Sequence, residues 1–234
     1  MGLSRGGKIV TNDLVFCLDF GSKRCYTSGT TAKDLAGSND GVLTNGPVFS
    51  DENCGQIIFD GTNDEIRMVD LDVTLYTVNI WLKFTTEINS ASVHRGIFRY
   101  RNLSDNLQGS LSTGEITGHY TGEVLTIMNS DDVSSSYTRT VTEDAMPAGW
   151  HNICLRWNGS NYEYYINGSK VNEYPSTQGG HAPLITSDGI FIGENYTTGN
   201  KNFLGSIAIF SIYDRSLTPQ EIRQNYNATR GRFE

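Results

Sequence analysis

Apolar and polar residues alternate along much of the chain. DLVFCLDF sets Leu14, Phe16, Leu18 and Phe20 against Val15, Cys17 and Asp19, and TVNIWLKF sets Val78, Ile80, Leu82 and Phe84 against Asn79, Trp81 and Lys83. HNICLRW repeats the pattern, with Ile153, Leu155 and Trp157 on one side and Asn152, Cys154 and Arg156 on the other. Successive side chains of a strand point to opposite faces, so each segment predicts a strand with one face in a core. QIIFDG, GIFIGE and FLGSIAIFSIY predict further strands. Turn signals lie between these segments, at Asn45-Gly46-Pro47, Asp60-Gly61, Asn158-Gly159, Asn167-Gly168, Gly179-Gly180 and Asp188-Gly189. Residues 86–147 are rich in Ser, Thr and Asp and predict long strands joined by polar loops.

Many short strands punctuated by Gly, Asn and Asp predict an all-β sandwich or barrel. No stretch is rich enough in Pro, Gly or Ser to act as a linker, so residues 1–234 are read as one domain, with 1–13 and 227–234 as extended terminal segments. In WNGSNYEYYINGSKV both Asn-Gly pairs suit two-residue type I′ turns, whose positive φ Asn and Gly tolerate. Tyr162, Tyr164 and Ile166 then face the core, while Glu163 and Tyr165 face outward. One helix is predicted near the C-terminus: Thr218 as N-cap, Pro219 at the first position, Glu221 closing a capping box, Ile222 and Tyr226 on one face, and Gly231 at the end.

Composition narrows the function classes. At 234 residues and 37% hydrophobic content the chain is large enough for a substantial core. A net charge of -8, without a run of Lys or Arg, argues against nucleic-acid binding. No apolar stretch reaches the ~20 residues of a membrane-spanning helix, and the N-terminus MGLSRGGKIVTNDLVF lacks the features of a secretory signal. Cys17 and Cys154 read as core or face residues, whereas Cys25 and Cys54 sit in loop-like sequence and can pair only if the fold brings them close. The five Asn-X-Ser/Thr matches (Asn102, Asn158, Asn167, Asn195, Asn227) read as by-products of Asn-rich turns.

Three segments in order, IIFDGTNDEIRM…VNIWLKF, GWHNICLRWNGSNYEYYINGSKV and GIFIGE…FLGSIAIFSIYDRSLTPQEI, resemble the laminin-G/concanavalin A-like jelly-roll superfamily. They look like its early strand pair, its Trp-His hairpin and its closing strand with helix cap, and the resemblance covers most of residues 14–226. The resemblance implies a two-sheet antiparallel jelly-roll sandwich with a curved front and a short C-terminal helix. It also implies binding of glycans or proteins at loops or on the concave face, and calcium in some members. The segments LVFCLDFGSKRCYTSGTTAKDLAGSNDGVLTNGPVF and QNYNATRGRF are similar to single-domain members found among virion proteins of tailed bacteriophages. The expected partners are therefore other virion proteins or a host-surface glycan, on the surface of a particle assembled in the host cytoplasm. A homo-oligomer is left open.

Several residues carry candidate chemistry. Trp81, Trp150 and Tyr165 fall on the side opposite the main apolar sets; they form either a line that stacks sugar rings or a structural set covered by a loop or the terminal segment. FDGTNDE gathers Asp60, Asn63, Asp64 and Glu65, which with Asp19 and the DLAGSNDG loop (Asp34, Asn39, Asp40) either give oxygen ligands for calcium or, the reading favoured, form a solvated β-turn with Asx hydrogen bonds. Residues Ala208 and Ile209 stand where the family usually has acidic residues, which weakens any carry-over of metal ligands from that strand. They make IAIFSIY apolar on both faces, so the strand is either covered on both sides or meets another subunit. No paired-carboxylate motif of the superfamily's glucanases occurs, the sialidase-like box is absent, and the four histidines show no metal spacing. His151 matches the family's structural Trp-His pair. The expectation is a non-enzymatic binding or assembly module.

Overall fold

In the computed structural model, residues 7–69, 73–89, 92–102, 107–113, 125–132, 135–142, 144–175, 184–186, 189–194 and 202–234 are described. In chain order the first nine strands are β1 (Leu14–Asp19), β2 (Thr31–Ala32), β3 (Gly41–Thr44), β4 (Val48–Ser50), β5 (Gln56–Asp60), β6 (Glu65–Val69), β7 (Val73–Leu75), β8 (Thr77–Phe84) and β9 (Arg95–Asn102). They are followed by β10 (Leu107–Thr113), β11 (Leu125–Asp132), β12 (Ser135–Thr142), β13 (Gly149–Trp157), β14 (Asn161–Ile166), β15 (Ser169–Pro175), β16 (Leu184–Thr186), β17 (Gly189–Ile192), β18 (Leu204–Tyr213) and helix α1 (Pro219–Thr229).

Two antiparallel sheets result. The first runs β15-β14-β13-β8-β18-β5-β4, with β1 also paired to β18; the second runs β12-β11-β10-β9-β17-β6-β3-β2. Alternation places one side chain in two of each strand between the sheets. Phe16, Leu18, Ile57, Phe59, Val78, Ile80, Ile153 and Phe210 of the first sheet meet Ile66, Met68, Phe98, Tyr100, Leu111, Ile190 and Ile192 of the second in one buried core. Tyr162 and Tyr164 join it, as their parity predicts. The fold is the jelly-roll sandwich expected, and β9 to β12 are the long strands expected within 86–147.

Two bulges alter the simple parity. Register slips between Leu14 and Phe16, so Val15 packs against the core while Leu14 turns to the outer side, the reverse of their place in the alternating pattern. A slip between Ile207 and Ile209 directs Ala208 and Ile209 outward together, with Ile207 and Phe210 inward. That outer face is covered by the chain's own C-terminus. Helix α1 opens with the full capping box, the Thr218 side chain accepting from the Glu221 N–H while Glu221 bonds back to Thr218 N–H. Ile222 packs with Cys154, Tyr165, Tyr213 and Leu217, and Tyr226 and Phe233 pack with Trp81, Ala208, Ile209 and Trp150. The doubly apolar strand β18 is therefore central and buried on both sides.

Three expectations are corrected. Residues 227–234 are not extended: α1 continues through Thr229 into a 3-10 turn, Arg230–Arg232, so Gly231 lies inside that turn and does not end the helix. At 167–168 both φ values are positive (51° and 73°), and the two-residue turn forms as predicted. At 158–159 only Gly159 has positive φ, and a longer loop forms in which the Asn158 side-chain oxygen accepts from Ser160 and Asn161 N–H (3.0 and 2.8 Å). All four cysteines are free; Cys25 is buried and Cys54 exposed.

Candidate functional site

The proposed aromatic line on the outer face is closed. Trp81 is 2% exposed, with Phe233 and Tyr226 stacked over it at 4.3 and 5.7 Å and its Nε1 donating to Thr229 Oγ1 at 2.8 Å. Tyr165 is 3% exposed beneath α1, its hydroxyl donating to Glu163 Oε2. Trp150 is half-buried against Phe233 at 4.6 Å. A ring whose faces are occupied has none left for a sugar, so Trp81 and Tyr165 are packing residues and Trp150 is left with only a partial face.

The oxygen-rich loops are also used internally. Asp19 pairs with Arg232 at 2.8 Å and accepts from Gly21 N–H, whereas Asp60 accepts from Thr62 N–H and Asp64 from Asp60 N–H. Burial, foremost, raises the Asp64 carboxyl above its ordinary value. Asn63 offers its carbonyl to Asn45. Asp34 accepts from Cys17, Ala36 and Asn39 N–H, and Asp40 is bound to Lys33, which lowers its carboxyl. Asp19 sits opposite Ile209 and Asp60 opposite Leu204, at separate positions along β18. Among the described residues, no group of three or more His, Cys, Asp or Glu is placed to hold a metal. The DGTNDE segment is an Asx-bonded turn, and Asp19 stands apart from Asp60 along β18.

A different site forms where three connections meet at one end of the sandwich. Tyr76 precedes β8, Trp157 and Asn158 lead into the β13–β14 loop, and Asp214, Arg215 and Ser216 join β18 to α1; together they line a cleft of about 340 Å³. Antiparallel pairing of β8 with β13 and β18 brings these ends together, and Trp157 N–H donates to the Tyr76 carbonyl at 2.8 Å. The Tyr76 and Trp157 rings lie 5.8 Å apart at 49°, both half-buried. Trp157 Nε1 and Ser216 Oγ are buried without a hydrogen-bond partner in the protein, and the Asp214 carboxylate is exposed beside them. Two half-buried aromatic rings and an exposed carboxylate line one open cleft, with the indole N–H and the Ser216 hydroxyl buried behind its wall.

Two ion-paired clamps fix its walls. Glu163 accepts from Arg156 Nε (2.7 Å), Tyr165 Oη (2.6 Å) and Asn158 Nδ2 (2.7 Å), and Arg156 also donates to the Leu217 carbonyl. Burial alone would raise this carboxyl, but the bonds from Arg156, Tyr165 and Asn158, with the Arg156 charge, outweigh it and hold Glu163 at about 2. Arg215 grips Glu221 with both terminal nitrogens (2.8 and 2.6 Å), which, foremost, holds Glu221 at about 2. Trp157 packs against the edge of the core, on the face that its place in the alternating strand predicts, whereas YDRSL reads in the sequence only as a helix cap. The remaining signal was a tryptophan at the last position of an alternating strand, where the core opens to the rim.

The second sheet offers a further surface. Val42, Arg67, Phe191, Arg99 and Ser110 are successive cross-strand neighbours on its outer face, with the Arg99 guanidinium over the Phe191 ring at 5.2 Å and paired to Glu194 at 3.2 Å. Phe191 is 7% exposed. The ring is therefore roofed, and the ladder is internally neutralised.

Comparison with known proteins follows from this geometry. Residues 60–223 match the laminin-G-type family model described as the concanavalin A-like lectin/glucanases superfamily. No curated protein matches the sequence. Among solved structures, domain 4 of a GH43 extracellular arabinanase from Geobacillus stearothermophilus, in complex with arabinotriose, superposes with a TM-score of 0.67 at 17% identity, covering 92% of this chain and 98% of that one. The binding domain of Paraclostridial Mosquitocidal Protein 1 gives 0.68 at 17% identity, covering 93% of this chain and 52% of that chain. A Trypanosoma rangeli sialidase in complex with sialic acid gives 0.64 at 12% identity, and the match takes in 98% of this chain but 36% of the sialidase. At such identities the likeness is one of fold. By fold, strand order and the match over residues 60–223, the chain belongs to the concanavalin A-like lectin/glucanases superfamily.

Proposed function

We propose that this chain is a non-catalytic carbohydrate-binding module that holds a neutral oligosaccharide in the Tyr76–Trp157 cleft. The carrying observation is the convergence there of two half-buried aromatic rings with an exposed carboxylate, that of Asp214. A sugar ring presents C–H faces that stack on aromatics and an edge of hydroxyls that both donate and accept. Tyr76 and Trp157 offer ring surface to the C–H face, and the exposed Asp214 carboxylate accepts from a vicinal pair of hydroxyls. The arabinotriose complex of the arabinanase domain, which is matched along nearly its whole length, supports a module of this kind. Display on a phage particle, where the glycan would belong to the host surface, is the finer part of this proposal and rests on the resemblance of the outer segments alone.

The test is saturation-transfer NMR and tryptophan fluorescence with neutral oligosaccharides, arabinotriose first and then a bacterial glycan array. Wild type is expected to bind, and Trp157→Ala to bind at least about tenfold more weakly, as for loss of a central aromatic anchor. An array without binders, or equal affinity in wild type and Trp157→Ala, overturns the proposal.

A further inference from the structure

A second cavity, of about 460 Å³, lies at the opposite margin of the first sheet, between the segment that follows β1 and the β4–β5 edge. Its floor is aromatic: Tyr26 meets Phe49 at 5.2 Å and Phe20 at 6.2 Å, with the Tyr26 hydroxyl turned away to the Gly29 carbonyl at 2.7 Å. Its mouth carries Lys23, Thr27 and Asp51, all exposed. Among the described residues, Lys23 and Asp51 each make no side-chain hydrogen bond or ion pair, with each other or with another group. One cation and one anion thus stand unspent at the rim of an apolar space.

The wall beside them is built at a conformational cost. Asn53, Cys54 and Gly55 have consecutive positive φ values of 51°, 62° and 104°. A Cβ on Gly55 would lie 2.1 Å from the Phe20 carbonyl oxygen, so only glycine allows the loop to close on β1. Two non-glycine residues with positive φ persist side by side only where the surroundings impose them. Arg232, from the far end of the chain, supplies part of that constraint: it pairs with Asp19 and donates to the Cys54 carbonyl at 3.3 Å. The cavity is a formed feature of the fold, held by residues distant in sequence.

We propose that this cavity binds a free amino acid with a large apolar side chain. The side chain lies on Phe49 and Tyr26, its carboxylate meets the Lys23 ammonium, and its ammonium meets the Asp51 carboxylate. The reading follows from opposed, unpaired charges at the mouth of an aromatic floor; a sugar would need neither charge, and an apolar ligand would leave both idle. It is independent of the carbohydrate cleft, which lies at another part of the molecule and shares none of its residues.

The experiment titrates the whole chain with L-phenylalanine, followed by two-dimensional NMR, alongside 3-phenylpropionate and phenethylamine, which lack one charge each. Saturable shifts centred on Tyr26 and Phe49 are expected, weakened about tenfold for either analogue and for Lys23→Met or Asp51→Asn. Both substitutions are on exposed side chains, and an unchanged melting temperature and unchanged oligosaccharide binding certify the fold. The proposal is overturned by the absence of saturable L-phenylalanine binding up to its solubility limit. It is equally overturned if the analogues or the two variants bind as tightly as the parent pair.

Discussion

Replacing Glu163 by Gln keeps the shape of the side chain and removes its charge, which separates the electrostatic clamp from simple packing. In the native protein the carboxylate accepts three hydrogen bonds and is only 8% exposed at the side chain. Its folded value of about 2, against an ordinary 4.5, corresponds to a ceiling of about 3 kcal/mol of stability at neutral pH. Residual solvent screening brings the expected loss to about 2 kcal/mol. Because the folded pKa is depressed, the unfolded chain binds more protons between about 2 and 4.5. The contribution is therefore complete at pH 7, shrinks as pH falls below 4.5 and is gone below about 2. Guanidinium unfolding of wild type and Glu163→Gln at pH 7, 4 and 2.5 should give a stability gap of about 2 kcal/mol that narrows steadily on acidification. A gap under about 0.5 kcal/mol at pH 7, or one that does not vary with pH, refutes the clamp.

Two further expectations concern the C-terminal cover. Phe233→Ala strips the ring stacked on Trp81 and Trp150, and for a half-buried phenylalanine should cost about 2 kcal/mol, lowering the melting temperature by about 4–8 °C and red-shifting tryptophan emission; an unshifted spectrum would mean that the tail does not cover these rings. Thr218→Ala removes the acceptor for Glu221 N–H and should cost about 1 kcal/mol, or a melting temperature lower by about 2–4 °C by circular dichroism.

Strand identity was legible because burial between two sheets demands alternation, and Ile153, Leu155, Tyr162 and Tyr164 obey it. The bulges at Leu14–Phe16 and Ile207–Ile209 were not, since one extra residue inverts parity without changing residue type. The capping box at Thr218–Glu221 was read correctly because its signal is local. Cover over Trp81 by a loop or the terminal segment was among the alternatives, and the terminal segment provides it; which residues do so was not legible, because the bond to Thr229 joins residues 148 apart in sequence. Calcium ligands and Asx turns could not be told apart in the sequence for a related reason. Asp and Asn at that density have the same composition whether they face an ion or their own backbone N–H groups, and here Asp60, Asp64 and Asp34 face the backbone. The Tyr76–Trp157 cleft was invisible for the converse reason. Its residues come from three connections, and none of those segments carries a motif alone.

The helix that closes one aromatic surface also completes another. Glu221 caps α1 through Thr218 and, with the same carboxylate, holds the Arg215 guanidinium at the cleft wall. Thr77 bridges the β18–α1 connection by donating to the Arg215 carbonyl and accepting from Leu217 N–H at 2.8 and 3.0 Å. Glu163 fixes the facing hairpin through Asn158 and reaches the same connection through Arg156 and the Leu217 carbonyl. The segment 214–217 is thus held from three sides before any ligand arrives. Ordering a loop on binding costs free energy that subtracts from affinity, and here that cost is met in folding. On the carbohydrate reading proposed above, a ligand would meet a cleft wall whose backbone is already ordered, so less of its contact energy is spent on ordering that loop.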